Sequence, residues 1–392
     1  MESLYALHNA LMRERTPAIR RGLMDAVDPQ HPLIVIRGSR GVGKTRFLLD
    51  FYEEHYADDA DVLYVNVNNI FLASEGLFSF IERFYKLGGK ALLLDQAHEY
   101  PEWDEEMRAA RDHFPSLSFV LAVSSLVRVE RSPYLHGIAK VYDLYGLSFR
   151  EFVELESGEE FAPLTFRDIL DSHEDIAREV TGKVRPLAYM GNYLTRGYYP
   201  ACLGTKFHAN YLLEHISRTM DFDVPFLHHV DLKFLWKWKA LLYMVATEQN
   251  HRANVSKYSH HVGISRAMVL NCLCYLNDAR LLTLLFDKEQ EDDDEPRPSR
   301  VYVHNPNVLL AICPKRADVS ATRKSFFLSQ VMSTCSVGVS ENDNFLVDGV
   351  HEVSVRVEGE RLYSKDTSIR LMDMLERGKG RTIPLWLTGF LY

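Results

Sequence analysis

Gly38-Ser39-Arg40-Gly41-Val42-Gly43-Lys44-Thr45 decides how the rest of the chain is read. It fits GxxxxGK[ST] at every fixed position, and its flanks are those the pattern requires. The apolar run Leu33–Ile36 precedes it and reads as a buried strand. Phe47, Leu48 and Phe51 follow at helical spacing. Glycines allow the backbone to curl so that successive N–H groups point at one anion. The start of the following helix adds its partial positive charge. Gly38, Ser39, Arg40, Gly41, Val42, Gly43, Lys44, Thr45 and Arg46 are therefore the expected phosphate-binding residues. Lys44 is expected to reach the β- and γ-phosphates, and Thr45 to ligate Mg²⁺.

A second element stands about fifty residues on. Lys90-Ala-Leu-Leu-Leu-Asp95 is an apolar strand ending in a carboxylate. A strand tip places Asp95 beside the loop, where it is expected to share Mg²⁺ with Thr45. Position 96 departs from the pattern of a hydrolysing enzyme, because it is Gln where such sites usually carry Glu. An amide cannot accept a proton at neutral pH, and general-base catalysis is worth roughly 10²–10⁴-fold. An amide can still position a water, as in small GTPases. The expected catalytic set is Lys44, Asp95, Gln96 and Ser124. Ser124 ends the apolar run Leu117–Ser125, where a polar residue can sense the γ-phosphate or simply close the strand. Arg128 and Arg131 read either as phosphate contacts or as surface charge. His98 and Glu99 are the alternatives to Gln96 for positioning water, and His98 also suits a structural role.

Outward from these motifs, residues 1–150 alternate short, continuously apolar runs with helical stretches. The runs are Pro32–Ile36, Asp61–Val67, Lys90–Asp95 and Leu117–Ser125. Strands of this kind are buried on both faces, as in a parallel sheet, so an α/β domain is expected. Residues 151–250 read as mainly helical, with a Gly/Pro turn at Gly197–Pro200 and Phe207, Tyr211 and Leu212 on one face. Next comes a helix opening at Ser265, which serves as its N-cap and has Val269, Cys272, Leu273 and Leu276 at helical spacing. The strand-like pair Leu281–Phe286 and Arg300–His304 follows, joined by an acidic loop. Helices followed by a hairpin suggest a winged helix-turn-helix. The remainder carries a helix near Ser325–Met332, strands near Phe345–Val347 and His351–Val357, and an apolar end.

The composition is that of a folded protein: 392 residues, 46% hydrophobic and 25% charged, with a formal charge of −9. That balance argues against a chain held on DNA by charge alone. No apolar run approaches the ~18 residues of a spanning helix, and the first residues lack the apolar core of a secretion signal. Five cysteines without metal spacing fit a reducing cytoplasm. Cys272 and Cys274 lie in a helical stretch with no second pair to complete a metal site.

Six stretches together resemble the prokaryotic AAA-type ATPases of the archaeal-ATPase-like group, abundant in Bacteroidetes, that carry a C-terminal domain of unknown function. They are IRGSRGVGKTRFLLDF (Ile36–Phe51), LLLDQAHEYPEW (Leu92–Trp103), GLSFREFVEL (Gly146–Leu155), GYYP (Gly197–Pro200), the run Asn254–Leu282, and IPLWLTGFLY (Ile383–Tyr392). The resemblance implies an ATP-binding P-loop core over 1–150, a helical lid over 151–225 and a winged helix over 226–310. It also implies an α+β restriction-endonuclease-like domain over 311–392. Departures accompany it. The usual Asp-Glu pair is Asp95-Gln96, Asn68 stands where relatives often have Asp, and His136–Lys140 replaces an arginine pair. The acidic positions of a metal-dependent nuclease become Lys324, Asn344 and Ser354, with Asp343, Asp348 and Glu352 nearby. Since divalent metal at such a centre needs carboxylates, an inactive nuclease-like domain is expected. Residues 251–310 hold seven Lys/Arg and eight Asp/Glu, and five consecutive acids, Glu291–Glu295, occupy the expected wing tip. Phosphate contacts need basic groups, so a protein contact is expected there ahead of DNA.

The resulting expectation is a nucleotide-dependent switch that takes ATP/ADP and Mg²⁺ and hydrolyses slowly because of Gln96. It would meet a protein partner or a second copy of itself, with no membrane. A competent ATPase and a winged-helix DNA regulator are the alternatives.

Overall fold

Leu33, Ile34, Val35 and Ile36 are all buried, which only a strand covered on both faces allows. In the computed structural model they form β1 (Leu33–Gly38), flanked by β4 (Ser118–Ser124) and β5 (Lys140–Asp143). Beyond β4 lie β3 (Ala91–Asp95) and β2 (Val62–Asn66). The order is β2-β3-β4-β1-β5, and every pairing is parallel. The four apolar runs of the sequence are thus four strands of one α/β sheet. The fifth strand was not visible in the pattern. Lys140–Asp143 is short and half-exposed at the sheet edge, so it lacks the continuous apolar signature of its neighbours.

The structure describes residues 1–13, 19–57, 59–205, 208–228, 230–248, 251–287, 297–340, 342, 344–357 and 368–392. Phe207, Asp343 and the acidic run Glu291–Glu295 lie outside them. The chain divides into two units, Met1–Tyr145 and Gly146–Tyr392. In the first, the sheet is covered by helices such as Leu77–Lys86 and Trp103–His113, whose Phe80, Phe84 and Met107 are fully buried against Leu92, Leu94 and Leu121.

The second unit starts on the GLSFREF stretch. Ser148 caps the helix Phe149–Ser157 in a reciprocal box with Glu151. Gly146 is required there, since a Cβ would fall 2.4 Å from the Tyr198 ring. Phe149, Phe152, Tyr193, Phe326, Trp386 and Phe390 form one core. Buried Gln330 ties it together: its amide donates to the Tyr193 hydroxyl at 2.8 Å and its oxygen accepts from the Phe149 N–H at 2.9 Å. The helices Val255–Val262 and Arg266–Asp278 are joined through Gly263 in left-handed backbone, with the Ser265 Oγ accepting from the Met268 N–H. The antiparallel pair β6 (Leu282–Leu285) and β7 (Arg300–Val303) follows. Cys272 is buried and Cys274 exposed on one helix, so the two thiols do not share a face.

The last part packs the helix Val319–Val331 on a five-stranded sheet. Its strands are β8 (Val337–Val339), β9 (Phe345–Val347), β10 (His351–Arg356), β11 (Ile369–Met372) and β12 (Thr382–Pro384). β8, β9 and β10 run antiparallel, and β10, β11 and β12 parallel. Val353, Val355, Leu371 and Ile383 face the core. Among the described residues, no helix is long and apolar enough to cross a membrane.

Candidate nucleotide and metal site

The loop begins where β1 ends. A Cβ on Gly38 would stand 2.5 Å from the Leu144 carbonyl oxygen, so only glycine lets the chain pass. Gly41 and Gly43 take φ of 87° and 96°, and Gly43 caps the helix Lys44–Tyr56. Gly38 accepts a backbone bond from Ser125, which ties the loop to the end of β4. Arg21 braces it from behind. Its guanidinium donates to the Val42 carbonyl at 3.0 Å and to the Tyr145 carbonyl at 2.9 Å while only 7% exposed. Sequence reading missed Arg21, because nothing local distinguishes it in a polar, basic stretch.

Lys44 arches over the loop and donates to the carbonyls of Gly38 at 2.7 Å and Ser39 at 2.9 Å. The Thr45 hydroxyl donates to Asp95 Oδ2 at 2.6 Å. The first residue of the loop helix is thereby joined to the tip of β3, although β4 separates β1 from β3 in the sheet. Asp95 is 2% exposed and accepts two further bonds. The Tyr64 hydroxyl donates at 2.9 Å, and the Gln96 N–H donates to Oδ1 at 2.9 Å. Burial, and then the Asp95 charge, raise the Tyr64 phenol well above its ordinary value, so it remains a donor.

Gln96 has a φ of 55°. This left-handed residue turns the chain into the short helix Ala97–Glu99, with the Glu99 N–H donating to the Gln96 carbonyl. Buried His98 is held down to about 3 by burial, then by the charges of Lys44 and Arg40. It is neutral at pH 7 and binds a proton too weakly to serve as a base. Glu99 accepts from the Asn68 amide and lies 3.8 Å from the Arg40 guanidinium.

Ser124 is in register beside Gly38, its Oγ accepting from the Leu126 N–H at 3.3 Å. Arg46 pairs with Asp50 one turn along its own helix at 3.0 Å. Arg128 and Arg131 are both exposed, on either side of buried Val129. Lys44, Thr45 and Asp95 therefore converge, with Gln96, Glu99 and Arg40 around them. Oxygen donors of this kind suit a hard divalent cation, and the buried Ser39 Oγ has no hydrogen-bond partner among the described residues. Among the described residues, no group of three or more His, Cys, Asp or Glu can hold a metal. A cation at this site would rest on Thr45, Asp95 and the phosphates it accompanies.

An AAA domain model matches residues 30–153, which contain β1 to β5 and the converging residues. The uncharacterized protein MJ1637 of Methanocaldococcus jannaschii is 25% identical over 271 residues, 65% of this chain and 56% of that protein. A second uncharacterized protein of the same organism, MJ1544, is 23% identical over 290 residues, 71% of this chain and 62% of that protein. The chain thus spans about three-fifths of the length of these relatives. Among solved structures, AMPPCP-bound DnaA from Aquifex aeolicus aligns at 13% identity and a TM-score of 0.29, covering 70% of this chain and 88% of that one.

Proposed function

We propose that the chain binds ATP with Mg²⁺ and works as a nucleotide-dependent switch whose hydrolysis is slow. The 2.6 Å bond between the Thr45 hydroxyl and the Asp95 carboxylate carries this reading. Two oxygens from separate motifs meet at the edge of a phosphate loop, as a shared cation requires. Thr45 and Asp95 would hold Mg²⁺, which neutralises phosphate charge when bound. The loop N–H groups would take the phosphate oxygens. Lys44 would leave the carbonyls of Gly38 and Ser39 for the β- and γ-phosphates. Gln96 can orient water but not deprotonate it, which favours holding the triphosphate over consuming it.

We read residues 151–225 as the lid, 226–310 as a winged helix and 311–392 as a nuclease-like domain without nuclease activity. The winged helix would contact a protein partner or a second copy of the chain. The five cysteines, all free, fit a reducing cytoplasm.

Calorimetry tests the reading. ATP and ADP should bind, ATP more tightly with Mg²⁺, and Asp95→Ala should erase the Mg²⁺ dependence. Gln96→Glu should raise phosphate release. A wild type that binds neither nucleotide sinks the proposal.

A further inference from the structure

β2 is an edge strand of the first sheet, and the N-terminal helix Glu2–Arg13 packs against it. An edge strand carries main-chain groups that no neighbouring strand pairs. The buried His8 ring meets one of them, its Nδ1 accepting from the Tyr64 N–H at 3.2 Å. Burial lowers the His8 imidazole below its ordinary value, so the ring is neutral at pH 7 and Nδ1 keeps the lone pair this bond needs. The same ring stands edge-on to Tyr52 at 4.7 Å, and Tyr52 belongs to the helix that opens with Lys44 and Thr45. Leu4 is buried with Leu63 and Val65, and the Tyr5 hydroxyl donates to the Ala60 carbonyl at 3.4 Å. Tyr64 is therefore held at both ends. Its main chain is fixed by His8, and its hydroxyl donates to Asp95 Oδ2, the oxygen that Thr45 also uses.

Resting on the ATP-binding reading, we propose that the N-terminal helix is a strap that restrains the cation site, with His8 as a positioning residue acting through Tyr64. Fixing the Tyr64 main chain at the sheet edge keeps its phenol seated on Asp95. A phenol O–H on Oδ2 occupies a lone pair that a cation would otherwise use, so the cation has to displace it. Without the His8 bond, β2 is freer at residue 64 and the phenol yields more readily. Coupling between two equilibria is reciprocal. A strap that weakens Mg²⁺ binding is itself loosened, by the same factor, when Mg²⁺ and nucleotide bind. The helix Glu2–Arg13, distant in sequence from both motifs, thereby receives the state of the site.

The test uses the full chain, calorimetry with AMPPCP over a Mg²⁺ series, and amide hydrogen exchange. His8→Phe keeps a ring against Tyr52 and removes the acceptor. It should lower the Mg²⁺ concentration that half-saturates tight AMPPCP binding by ~2–5-fold, the scale of one neutral hydrogen bond. His8→Asn, whose side-chain oxygen can take the place of Nδ1, should stay near wild type. In a Tyr64→Phe background, His8→Phe should bring no further drop. In the wild type, AMPPCP with Mg²⁺ should speed exchange of the Tyr64 amide relative to AMPPCP alone. An unchanged or raised Mg²⁺ requirement in His8→Phe overturns the proposal, since His8 would then be merely structural. So does an equal drop in His8→Asn or in the Tyr64→Phe background. Where His8→Phe fails to fold, the exchange measurement decides, and a Tyr64 amide that Mg²⁺ leaves unaltered overturns the strap. A wild type that binds AMPPCP equally well with and without Mg²⁺ overturns it too, while leaving nucleotide binding intact. Absence of AMPPCP binding by the wild type removes the ATP-binding reading itself.

Discussion

Asp95 in the first unit and Glu352 in the second are both strand carboxylates surrounded by donors, hydroxyls alone on one oxygen of Asp95 and mostly side-chain amides on Glu352. Asp95 Oδ2 accepts from two hydroxyls, Thr45 at 2.6 Å and Tyr64 at 2.9 Å. A hydroxyl oxygen keeps its own lone pairs, so Thr45 can turn from giving a proton to joining Asp95 around a cation. Glu352 Oε1 accepts from the Ser340 hydroxyl at 2.8 Å and from the side-chain amides of Asn342 at 3.0 Å and Asn344 at 3.1 Å. Amide N–H groups aimed at a carboxylate have no lone pair for a metal there. Ser354 is likewise engaged, with the Ser368 hydroxyl donating to its Oγ at 2.9 Å. Carboxylate content alone therefore does not separate a candidate cation site from a structural knot. What the neighbouring donors can become does.

Two buried histidines extend the contrast and give the largest expected effect. His304, in the second unit, has both ring nitrogens within reach of hydroxyls, Thr283 at 3.0 Å and Tyr198 at 3.3 Å. His98, beside the loop, has a buried Nδ1 without a hydrogen-bond partner among the described residues. Burial, helped by Arg280 for His304 and by Lys44 and Arg40 for His98, holds each down to about 3. The unfolded chain takes up these protons near 6.5 and the folded chain only near 3. Stability is therefore full above pH 6.5 and is lost as pH falls toward 3, at up to ~1.4 kcal/mol per pH unit per group. Urea midpoints across that range should fall with acid, and His98→Gln should flatten the slope by about one proton. An unchanged slope would mean that His98 is not buried neutral.

Next in size is the core of the second unit. Phe326 is fully buried against Phe149 and Tyr193, so Phe326→Ala should cost ~3–5 kcal/mol in denaturant. AMPPCP affinity should persist wherever the variant is folded, because the converging residues all belong to the first unit. Lys44→Ala should have the reverse signature. Losing charge-assisted bonds to phosphate should weaken AMPPCP binding by roughly 10²-fold, with little change in the urea midpoint. Glu352→Gln should alter neither AMPPCP affinity nor its Mg²⁺ dependence. If Glu352→Gln weakens Mg²⁺-dependent binding, the contrast between the two carboxylates fails.

Much of the first unit was legible because its signals are local. A strand buried on both faces must be apolar throughout, and a phosphate loop needs glycine, lysine and threonine at fixed intervals. Both constraints are written in consecutive residues, such as Leu33–Thr45. Arg21 was not legible, since its use is set by carbonyls 21 and 124 residues away along the chain. The pairing of Asn68 with Glu99 was hidden similarly: the sequence offers Glu99 as an alternative to Gln96, but its partners, Asn68 and Arg40, lie in other segments of the chain. In the second unit, Ser265 and the apolar spacing after it marked a helix correctly. β8, β11 and β12 went unseen because each is three or four residues long with mixed burial, too short for an alternating pattern.

The smallest effect tests the contrast most closely. Tyr64 is 4% exposed and donates to the same oxygen of Asp95 that Thr45 uses. Tyr64→Phe removes one neutral donor from a buried carboxylate and should cost ~1 kcal/mol of stability. If Asp95 is a metal ligand in waiting, the phenol competes with the cation for Oδ2. Its removal should then lower the Mg²⁺ concentration that half-saturates tight ATP binding, even as the fold weakens. Stability and metal affinity would move in opposite directions, which a general loosening of the site would not produce. If the required Mg²⁺ rises instead, Tyr64 positions Asp95 rather than competing for it, and the Asp95 donors would be as fixed as those around Glu352.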